Sequence, residues 1–264
     1  MKYEKETEKA ISLVKEAGKE AMKIYSGRCE IETKEDESPL TNADKTSHNI
    51  LVDGLSEFGY GVVSEEAENI NPKERMQWII DPLDGTMDFI QKTGEFSIMV
   101  ALVDNGVPVV GIVYAPAVNK LWYAVQGEGA YLIHEDVEKR INVSKIEAVD
   151  EYRLVISRNH FKQNDKDVAD RLGISRFKKM GSVGVKFCAI AEGKAELCVY
   201  TTSKMGVWDD CASHVILKEA GGEVFDIYGN EPTYNLKTRR MENGFIGTNG
   251  KNKDKILESI RQGL

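Results

Sequence analysis

The strongest constraint on how this chain folds is an apolar segment that ends in two acidic residues. Trp78–Ile80 predicts a buried strand, and Asp81–Thr86 follows it without a break. The proline after Asp81 keeps that residue out of the helical conformation, and Gly85 permits a sharp turn that brings Asp84 back beside Asp81. Two like charges held side by side at the end of a buried strand need a cation, and Mg²⁺ prefers oxygen ligands of this kind.

The same segment also fits a plain strand-to-helix turn in which Asp84 or Thr86 caps the next helix. Three other segments place acids where strands end or helices begin, and each has a simple explanation as a solvated turn or a helix N-terminus. These segments are Val62–Glu66, Thr41–Asp44 and Val207–Asp210. Because they all occur in one chain, the sequence favours a metal site that folding assembles from distant residues.

Composition and charge exclude several classes of protein. A chain of 264 residues, 41% hydrophobic and 30% charged, is typical of a globular protein with one large domain or two joined ones. Its net charge of −8, with no basic patch, argues against a nucleic-acid or anionic-membrane partner. The apolar runs are too short to cross a bilayer, and the first residues lack the apolar core of a secretory signal. We therefore expect a cytoplasmic protein with four reduced cysteines.

The hydrophobic pattern predicts two helices, then a run of strands, then strands and helices in alternation. Apolar residues at three- and four-residue spacing predict a helix over Glu4–Tyr25, and a second helix begins after a cap at Thr41 or Asn42. The segments typical of strands are Tyr60–Ser64, Gln77–Asp81, Ser97–Val103, Val109–Tyr114, Leu121–Val125, Arg153–Ser157, Ala195–Tyr200, Glu223–Ile227 and Gly244–Thr248. The later segments typical of helices are Asp165–Leu172, Val183–Ala191, Trp208–Ala220 and the residues from Asp254 onward.

This order of elements predicts two sub-domains with a boundary near Glu135. Residues 1–135 form an α+β sub-domain that carries most of the acidic segments. Residues 136–264 form an α/β sub-domain that carries the last acidic segment and, we expect, the substrate pocket.

Taken together, Glu65, Asp81–Thr86 and Trp208-Asp209 resemble the signature of the lithium-sensitive, magnesium-dependent phosphomonoesterases typified by inositol monophosphatase. The resemblance implies the sugar phosphatase fold, a layered α-β-α-β-α sandwich. Further segments look like the 3′(2′),5′-bisphosphate nucleotidase branch of that superfamily. They are Ser38–Asp44, Phe89-Ile90 followed by Gly94–Phe96, Ser157–His160, and Lys186–Cys188 followed by Ala191–Gly193.

The resemblance implies a set of metal ligands. Glu65, Asp81 and the main-chain carbonyl of Leu83 would hold one Mg²⁺, and Asp81, Asp84 and Asp209 would hold a second. A third, weaker Mg²⁺ is expected near Glu65. Two ions about 3.5 to 4 Å apart can neutralise a phosphate and stabilise the attacking and leaving oxygens together.

The same resemblance implies how water is activated. Thr86, paired with Asp44, would orient and deprotonate the attacking water, so that the catalytic residues are Asp44, Glu65 and Thr86. The main-chain amides of Gly85 and Thr86 stand at a predicted helix start and can hold phosphate oxygens.

By resemblance to the nucleotidase branch, substrate contacts come mainly from the second half of the chain. They would be made by Ser157, His160, Ser182 and Lys186, together with Asp209, and Lys186 would favour a second phosphate. From the residues alone, a histidine after a strand is as typical of the surface, and a lysine in a helix is as typical of a solvated side chain.

Two further lysines are candidates for phosphate contacts. Lys204 stands in the segment where some bacterial relatives have an arginine, and it is the candidate replacement for that cation. Lys34, in the charged loop before Asp44, resembles a residue of the family's mobile lid, although an ordinary polar loop explains it equally well. No acid occurs between Tyr200 and Val207, which counts against the inositol phosphate substrates that other members bind there.

These observations lead to one expected function and two alternatives. We expect a phosphomonoesterase that hydrolyses the 3′-phosphate of adenosine 3′,5′-bisphosphate to AMP and phosphate, acting on a small molecule as a monomer or a homodimer. The first alternative is an inositol-1-phosphate or fructose-1,6-bisphosphate phosphatase with the same metal mechanism. The second is a non-catalytic anion- or metal-binding protein, which is disfavoured because every expected ligand and water-activating position holds a competent residue.

Overall fold

The computed structural model describes residues 2–35, 37–67, 70–71, 74–201, 205–234, 239–241 and 243–263. Its helices are α1 (Glu4–Ser26), α2 (Asn42–Ser56), α3 (Thr86–Ile90), α4 (Gln163–Arg171), α5 (Val183–Ala191), α6 (Cys211–Glu219) and α7 (Lys253–Arg261). Its strands are β1 (Ile31–Thr33), β2 (Pro39–Thr41), β3 (Gly61–Ser64), β4 (Met76–Asp84), β5 (Ser97–Asp104), β6 (Val107–Ala115), β7 (Lys120–Val125), β8 (Gly129–His134), β9 (Val137–Ile141), β10 (Arg153–Ser157), β11 (Arg176–Met180), β12 (Leu197–Tyr200), β13 (Glu223–Phe225) and β14 (Phe245–Thr248).

The first large sheet has seven strands in the order β3-β4-β5-β6-β7-β8-β9. Because successive side chains on a strand point to opposite faces, Trp78 and Ile80 of β4 face one side and Ile79 faces the other. Trp78 and Ile80 pack against apolar residues of α1 and α2, such as Val14 and Leu55. The two N-terminal helices therefore cover one face of this sheet.

The other face of the seven-stranded sheet packs on a middle layer formed by α5 and α6. Ile79 belongs to the same core cluster as Phe187 of α5 and Ile216 of α6. Beyond these helices lies a second sheet of five strands, in the order β11-β10-β12-β14-β13, whose outer face is covered by α4 and α7. The five layers alternate α-β-α-β-α, and this confirms the predicted fold class.

Most predicted elements occur within a few residues of their expected bounds, but five strands, β1, β2, β8, β9 and β11, have no predicted counterpart. The edge strands β9 and β11 are largely exposed and polar, so they lack the apolar alternation that identifies a strand. Helix α6 begins at Cys211 rather than at Trp208, because the residues before it form a turn. Strand β9 pairs with β8, so the first sheet continues a few residues beyond Glu135. The division into two sub-domains stays a prediction.

The site lies where β3 and β4 end. These two strands are parallel, so their carboxyl ends reach the same edge of the sheet. The pairing of β4 with β5 shifts register between Asp81 and Asp84, and this irregularity lets both acids stay at that edge. Within the described ranges, no helix is both long and apolar enough to cross a membrane.

Candidate active site

Three aspartates from two distant parts of the chain meet at the end of β4. Asp81, Asp84 and Asp209 each offer a carboxylate oxygen, and these atoms all lie within 4.8 Å of one another. Asp81 and Asp84 are buried, at 1% and 7% exposure, while Asp209 is partly exposed in the turn before α6. The acids predicted as ligands of the second ion are therefore brought together.

Burial and mutual repulsion set the protonation of this cluster. Burial raises the pKa of Asp81 well above its usual range, and the charges of Glu65, Asp84 and Asp209 raise it further. Burial likewise raises the pKa of Asp209, with contributions from Glu65 and Asp84. A divalent cation reverses this preference, because carboxylates bind metal in their ionised form. The all-oxygen donor set fits Mg²⁺, which takes carboxylates and retains water.

Glu65 lies directly after β3 and is held by a lysine from the charged loop. The ammonium of Lys34 lies 2.7 Å from Oε1 of Glu65 and 2.5 Å from Oε1 of Glu66. Burial alone lowers the pKa of Lys34, but the charges and hydrogen bonds of the two glutamates raise it above its ordinary value. The predicted lid residue thus stands as a cation beside one of the predicted metal ligands.

Asp44 is placed by the start of α2. Thr41 caps that helix, and its main-chain N–H and hydroxyl donate to Oδ2 of Asp44 at 2.7 and 2.5 Å. The hydroxyl of Thr86 lies 3.2 Å from Oδ1 of Asp44 and 3.1 Å from the carbonyl of Leu83. Because this hydroxyl has one hydrogen, it donates to one of the two oxygens at a time. Burial raises the pKa of Asp44, which favours its acting as a proton acceptor.

Asp84 is anchored by the second half of the chain. Its Oδ2 accepts hydrogen bonds from the Ser182 hydroxyl at 2.5 Å, the Gly184 amide at 2.8 Å and the Ser97 hydroxyl at 3.4 Å. No described residue donates a hydrogen bond to its other oxygen, Oδ1. One oxygen of Asp84 is therefore fixed by the protein while the other remains available to a cation.

The predicted substrate residues occupy contrasting environments. The Ser157 hydroxyl accepts a hydrogen bond from the main chain of His160 at 3.0 Å, and the His160 side chain is exposed. Ser182 touches the acidic cluster through Asp84. Lys186 is 1% exposed, and its ammonium donates to main-chain carbonyls. Lys204 lies outside the described residues, and the roles of all these side chains toward substrate stay predictions.

Gly85 makes the turn from β4 into α3. Its φ of 90° lies in the left-handed region that favours glycine. A Cβ atom there would meet the Ser182 amide nitrogen at 3.1 Å and the Glu95 carbonyl at 3.2 Å. The turn that carries Asp84 toward Thr86 is therefore packed tightly against the second half of the chain.

Three residues of the site were missed by sequence reasoning. Ser97 and Gly184 help to hold Asp84, as described above. The Arg239 guanidinium lies 4.8 Å from the Trp208 ring centroid and donates to the Ser64 carbonyl, so it joins the segments that carry Asp209 and Glu65. No local pattern marks these roles. The pairing of Thr41 with Asp44, in contrast, could have been predicted from the capping-box spacing.

A cavity of about 320 Å³ lies between the two sheets, and Asp81, Asp84 and Asp209 are not among its lining residues. It is lined by Trp122, Val155 and Met180 among others, and none of the predicted site residues lines it. Cavity size therefore does not locate the site, whereas the buried carboxylates do.

Comparison with known proteins agrees with this geometry. Residues 2–264 match the model of the inositol monophosphatase family. The 3′(2′),5′-bisphosphate nucleotidases CysQ of Salmonella typhimurium and Escherichia coli are both 34% identical to this chain; the matches cover 90% and 88% of it, and 97% and 95% of the relatives. Among solved structures, CysQ from Bacteroides thetaiotaomicron has a TM-score of 0.80 at 30% identity, covering 95% of this chain and 99% of that one. An IMPase of Thermotoga maritima has a TM-score of 0.82 at 29% identity, with coverages of 96% and 95%.

Proposed function

Because the chain belongs to the inositol monophosphatase family and is a phosphatase, we propose that it is a magnesium-dependent 3′(2′),5′-bisphosphate nucleotidase. It would hydrolyse the 3′-phosphate of adenosine 3′,5′-bisphosphate to AMP and phosphate. The observation that carries the metal mechanism is the convergence of Asp81, Asp84 and Asp209. The nucleotide substrate is supported by the named activity of the CysQ relatives.

The proposed metal site divides the carboxylates between two ions. Glu65, Asp81 and the Leu83 carbonyl would bind one Mg²⁺, and Asp81, Asp84 and Asp209 a second. Bound Mg²⁺ would neutralise phosphate charge and lower the pKa of water. Lys34 contacts Oε1 of Glu65 at 2.7 Å, so Glu65 would bind the ion through its other oxygen, or through Oε1 once Lys34 moves to a phosphate oxygen.

The residues beside the cluster would move the proton. A water near Thr86 can give its proton to the Thr86 hydroxyl oxygen while that hydroxyl passes its own hydrogen to Oδ1 of Asp44, 3.2 Å away. Asp44 keeps its other oxygen in two hydrogen bonds to Thr41, so its orientation does not change during the transfer. Attack of this water on phosphorus would then break the bond to the 3′-oxygen of the nucleotide, and that oxygen would take a proton from solvent water to leave as the 3′-hydroxyl of AMP.

The test is a comparison of kcat/KM for adenosine 3′,5′-bisphosphate, inositol 1-phosphate and fructose 1,6-bisphosphate with Mg²⁺, measured by phosphate release. We expect the nucleotide to be preferred by at least about tenfold, which corresponds to about 1.4 kcal/mol. A tenfold preference for either sugar phosphate would contradict the nucleotide assignment and leave the metal mechanism standing. No phosphate release from any of the three would support the non-catalytic alternative.

The metal assignment is tested with Asp209→Asn. Loss of one carboxylate ligand should lower kcat by at least about a hundredfold while the fold persists, because the substitution also relieves repulsion in the cluster. Asp254→Asn is the matched control, since Asp254 is exposed at the start of α7. Turnover at the wild-type rate in Asp209→Asn would contradict the assignment.

A further inference from the structure

Between β11 and α5 the chain makes a tight corner, Met180–Ser182, whose last residue is strained. Ser182 has φ 38° and ψ 128°, and non-glycine residues rarely adopt a positive φ with an extended ψ. Such conformations persist only where the surrounding contacts hold them, and they cluster at functional sites.

The Ser182 side chain makes use of that strained position. Its hydroxyl donates to Oδ2 of Asp84 at 2.5 Å and accepts from the Val185 amide at 3.0 Å, so it caps α5 and holds a predicted metal ligand at once. The hydroxyl of Ser97 lies 2.8 Å away and supports it from the first sheet. The amide of Gly184, two residues on, adds a second strong donor to the same Asp84 oxygen.

Lys186 holds the main chain of this corner. An ammonium has three N–H donors, and Lys186 directs them to the carbonyls of Gly181 and Ser182 at 2.8 Å and of Met180 at 3.5 Å. The side chain is 1% exposed. Two of these carbonyls lie at ordinary hydrogen-bond distance and the third at its outer limit, and this favours a structural use of the lysine over contact with a substrate phosphate.

The corner has no room to relax. A Cβ atom on Gly181 would lie 2.2 Å from the Glu95 carbonyl oxygen and 2.4 Å from Cγ of Asp88. A Cβ atom on Gly184 would lie 2.3 Å from the Met99 sulfur. A shift of the corner would therefore be passed directly to the Asp84 carboxylate.

We propose that Lys186 is a positioning residue, which locks the Met180–Ser182 corner so that Ser182 and Gly184 aim the Asp84 carboxylate at the metal. The proposal rests on the proposed function only in taking Asp84 as a metal ligand. As a positioning residue, Lys186 acts on metal affinity through Ser182, and its effect does not depend on a second phosphate in the substrate. A substrate-binding lysine would have an effect that depends on that phosphate.

The test uses the full-length variants Lys186→Met and Ser182→Ala, with Lys178→Met on exposed β11 as control. Calorimetric titration with Mg²⁺ should show affinity weakened by about 10- to 100-fold in both variants and unchanged in the control. The double variant should bind Mg²⁺ about as weakly as Ser182→Ala alone, because both residues act through one contact. At saturating Mg²⁺, the ratio of the KM values for adenosine 3′,5′-bisphosphate and for 3′-AMP, which lacks the second phosphate, should equal the wild-type ratio.

The opposite pattern would overturn the proposal. Unchanged Mg²⁺ affinity in Lys186→Met, with KM raised for the bisphosphate but not for 3′-AMP, would show a substrate contact. If Lys186→Met does not fold, as judged by circular dichroism, wild-type Mg²⁺ affinity in Ser182→Ala would overturn the proposal on its own. A wild-type protein that binds no Mg²⁺ and releases no phosphate would instead contradict the proposed function.

Discussion

Two buried carboxylates in this protein have pKa values that are shifted in opposite directions, that of Glu196 downward and that of Asp81 upward. Glu196 is fully buried, yet the guanidinium of Arg153 donates to both of its oxygens, and the Arg153 amide donates to Oε2 at 2.7 Å. Burial alone raises the pKa of Glu196, but the hydrogen bonds from Arg153 lower it below its ordinary value. Asp81 is equally buried and accepts a hydrogen bond from the Leu83 amide, while neighbouring acids raise its pKa further.

The two carboxylates differ in the source of the cation that balances their charge. At Glu196 the chain supplies its own cation, and the carboxylate is a structural element of the second sheet. At Asp81 the neighbouring charges that raise the pKa are those of other acids, and we expect the balancing cation to be bound from solution.

Removal of divalent metal should abolish turnover without unfolding the protein. A chelator takes away the divalent cation proposed to balance Asp81, Asp84 and Asp209, whereas the Arg153–Glu196 pair is unaffected. Phosphate release should stop with EDTA and return with excess Mg²⁺, while circular dichroism stays constant. Undiminished turnover after exhaustive chelation would contradict the claim that the three aspartates depend on a cation from solution.

Arg153→Met should destabilise the fold by about 2–4 kcal/mol, because it leaves Glu196 buried without its cation. The measurement is the free energy of unfolding in urea. Arg176→Met on exposed β11 is the matched control and should change stability by less than about 0.5 kcal/mol. If the two substitutions lowered the free energy of unfolding equally, the Arg153–Glu196 pair would contribute little to stability.

Mg²⁺ should stabilise the fold more as pH rises. The raised pKa values of Asp81 and Asp209 favour the folded state below the ordinary carboxyl range, and that contribution is lost as pH rises through the folded values. Mg²⁺ restores it, because it binds the ionised form. The increase in Tm caused by Mg²⁺ should therefore be larger at about pH 8 than at about pH 5.

The contribution of the aspartates is isolated by measuring Tm against pH once with EDTA and once with Mg²⁺ and taking the difference between the two curves. Carboxyls outside the site whose pKa is lowered, such as that of Glu196, change the stability with pH by the same amount in both curves, so their effect cancels. A Tm increase that stayed constant across this pH range would speak against ionisation of the aspartates as the reason for metal binding.

Tyr234→Phe should lower the free energy of unfolding by about 1–3 kcal/mol. The Tyr234 hydroxyl donates to Oδ2 of buried Asp210 at 2.9 Å and lies 2.8 Å from Nδ1 of His214. Tyr228→Phe is the control, because Tyr228 is 60% exposed. Identical urea midpoints for the two variants would contradict a role for this network in stability.

The sequence predicts the parts of the site that depend on local pattern. Asp81 and Asp84 follow from an apolar run that meets a proline and a glycine, and the approach of Thr86 to Asp44 agrees with the resemblance. The family resemblance, rather than any spacing, identified Asp209 as a partner of these acids. Their convergence is a property of the whole fold.

The direction of the Lys186 side chain could not be predicted, because a lysine can extend to solvent or bury its ammonium, and tertiary packing decides between them. The strain at Ser182 is equally invisible in the sequence, since serine has no preference for a positive φ. Strands β9 and β11 were missed for a related reason: an edge strand needs little apolar burial on its outer side.

The most direct test of the metal site is a crystal structure of the protein soaked with Mn²⁺, read by its anomalous signal. We expect an anomalous peak at coordination distance, about 2.0–2.6 Å, from carboxylate oxygens of Asp81, Asp84 and Asp209. Ordered density for these three side chains with no peak between them would contradict it.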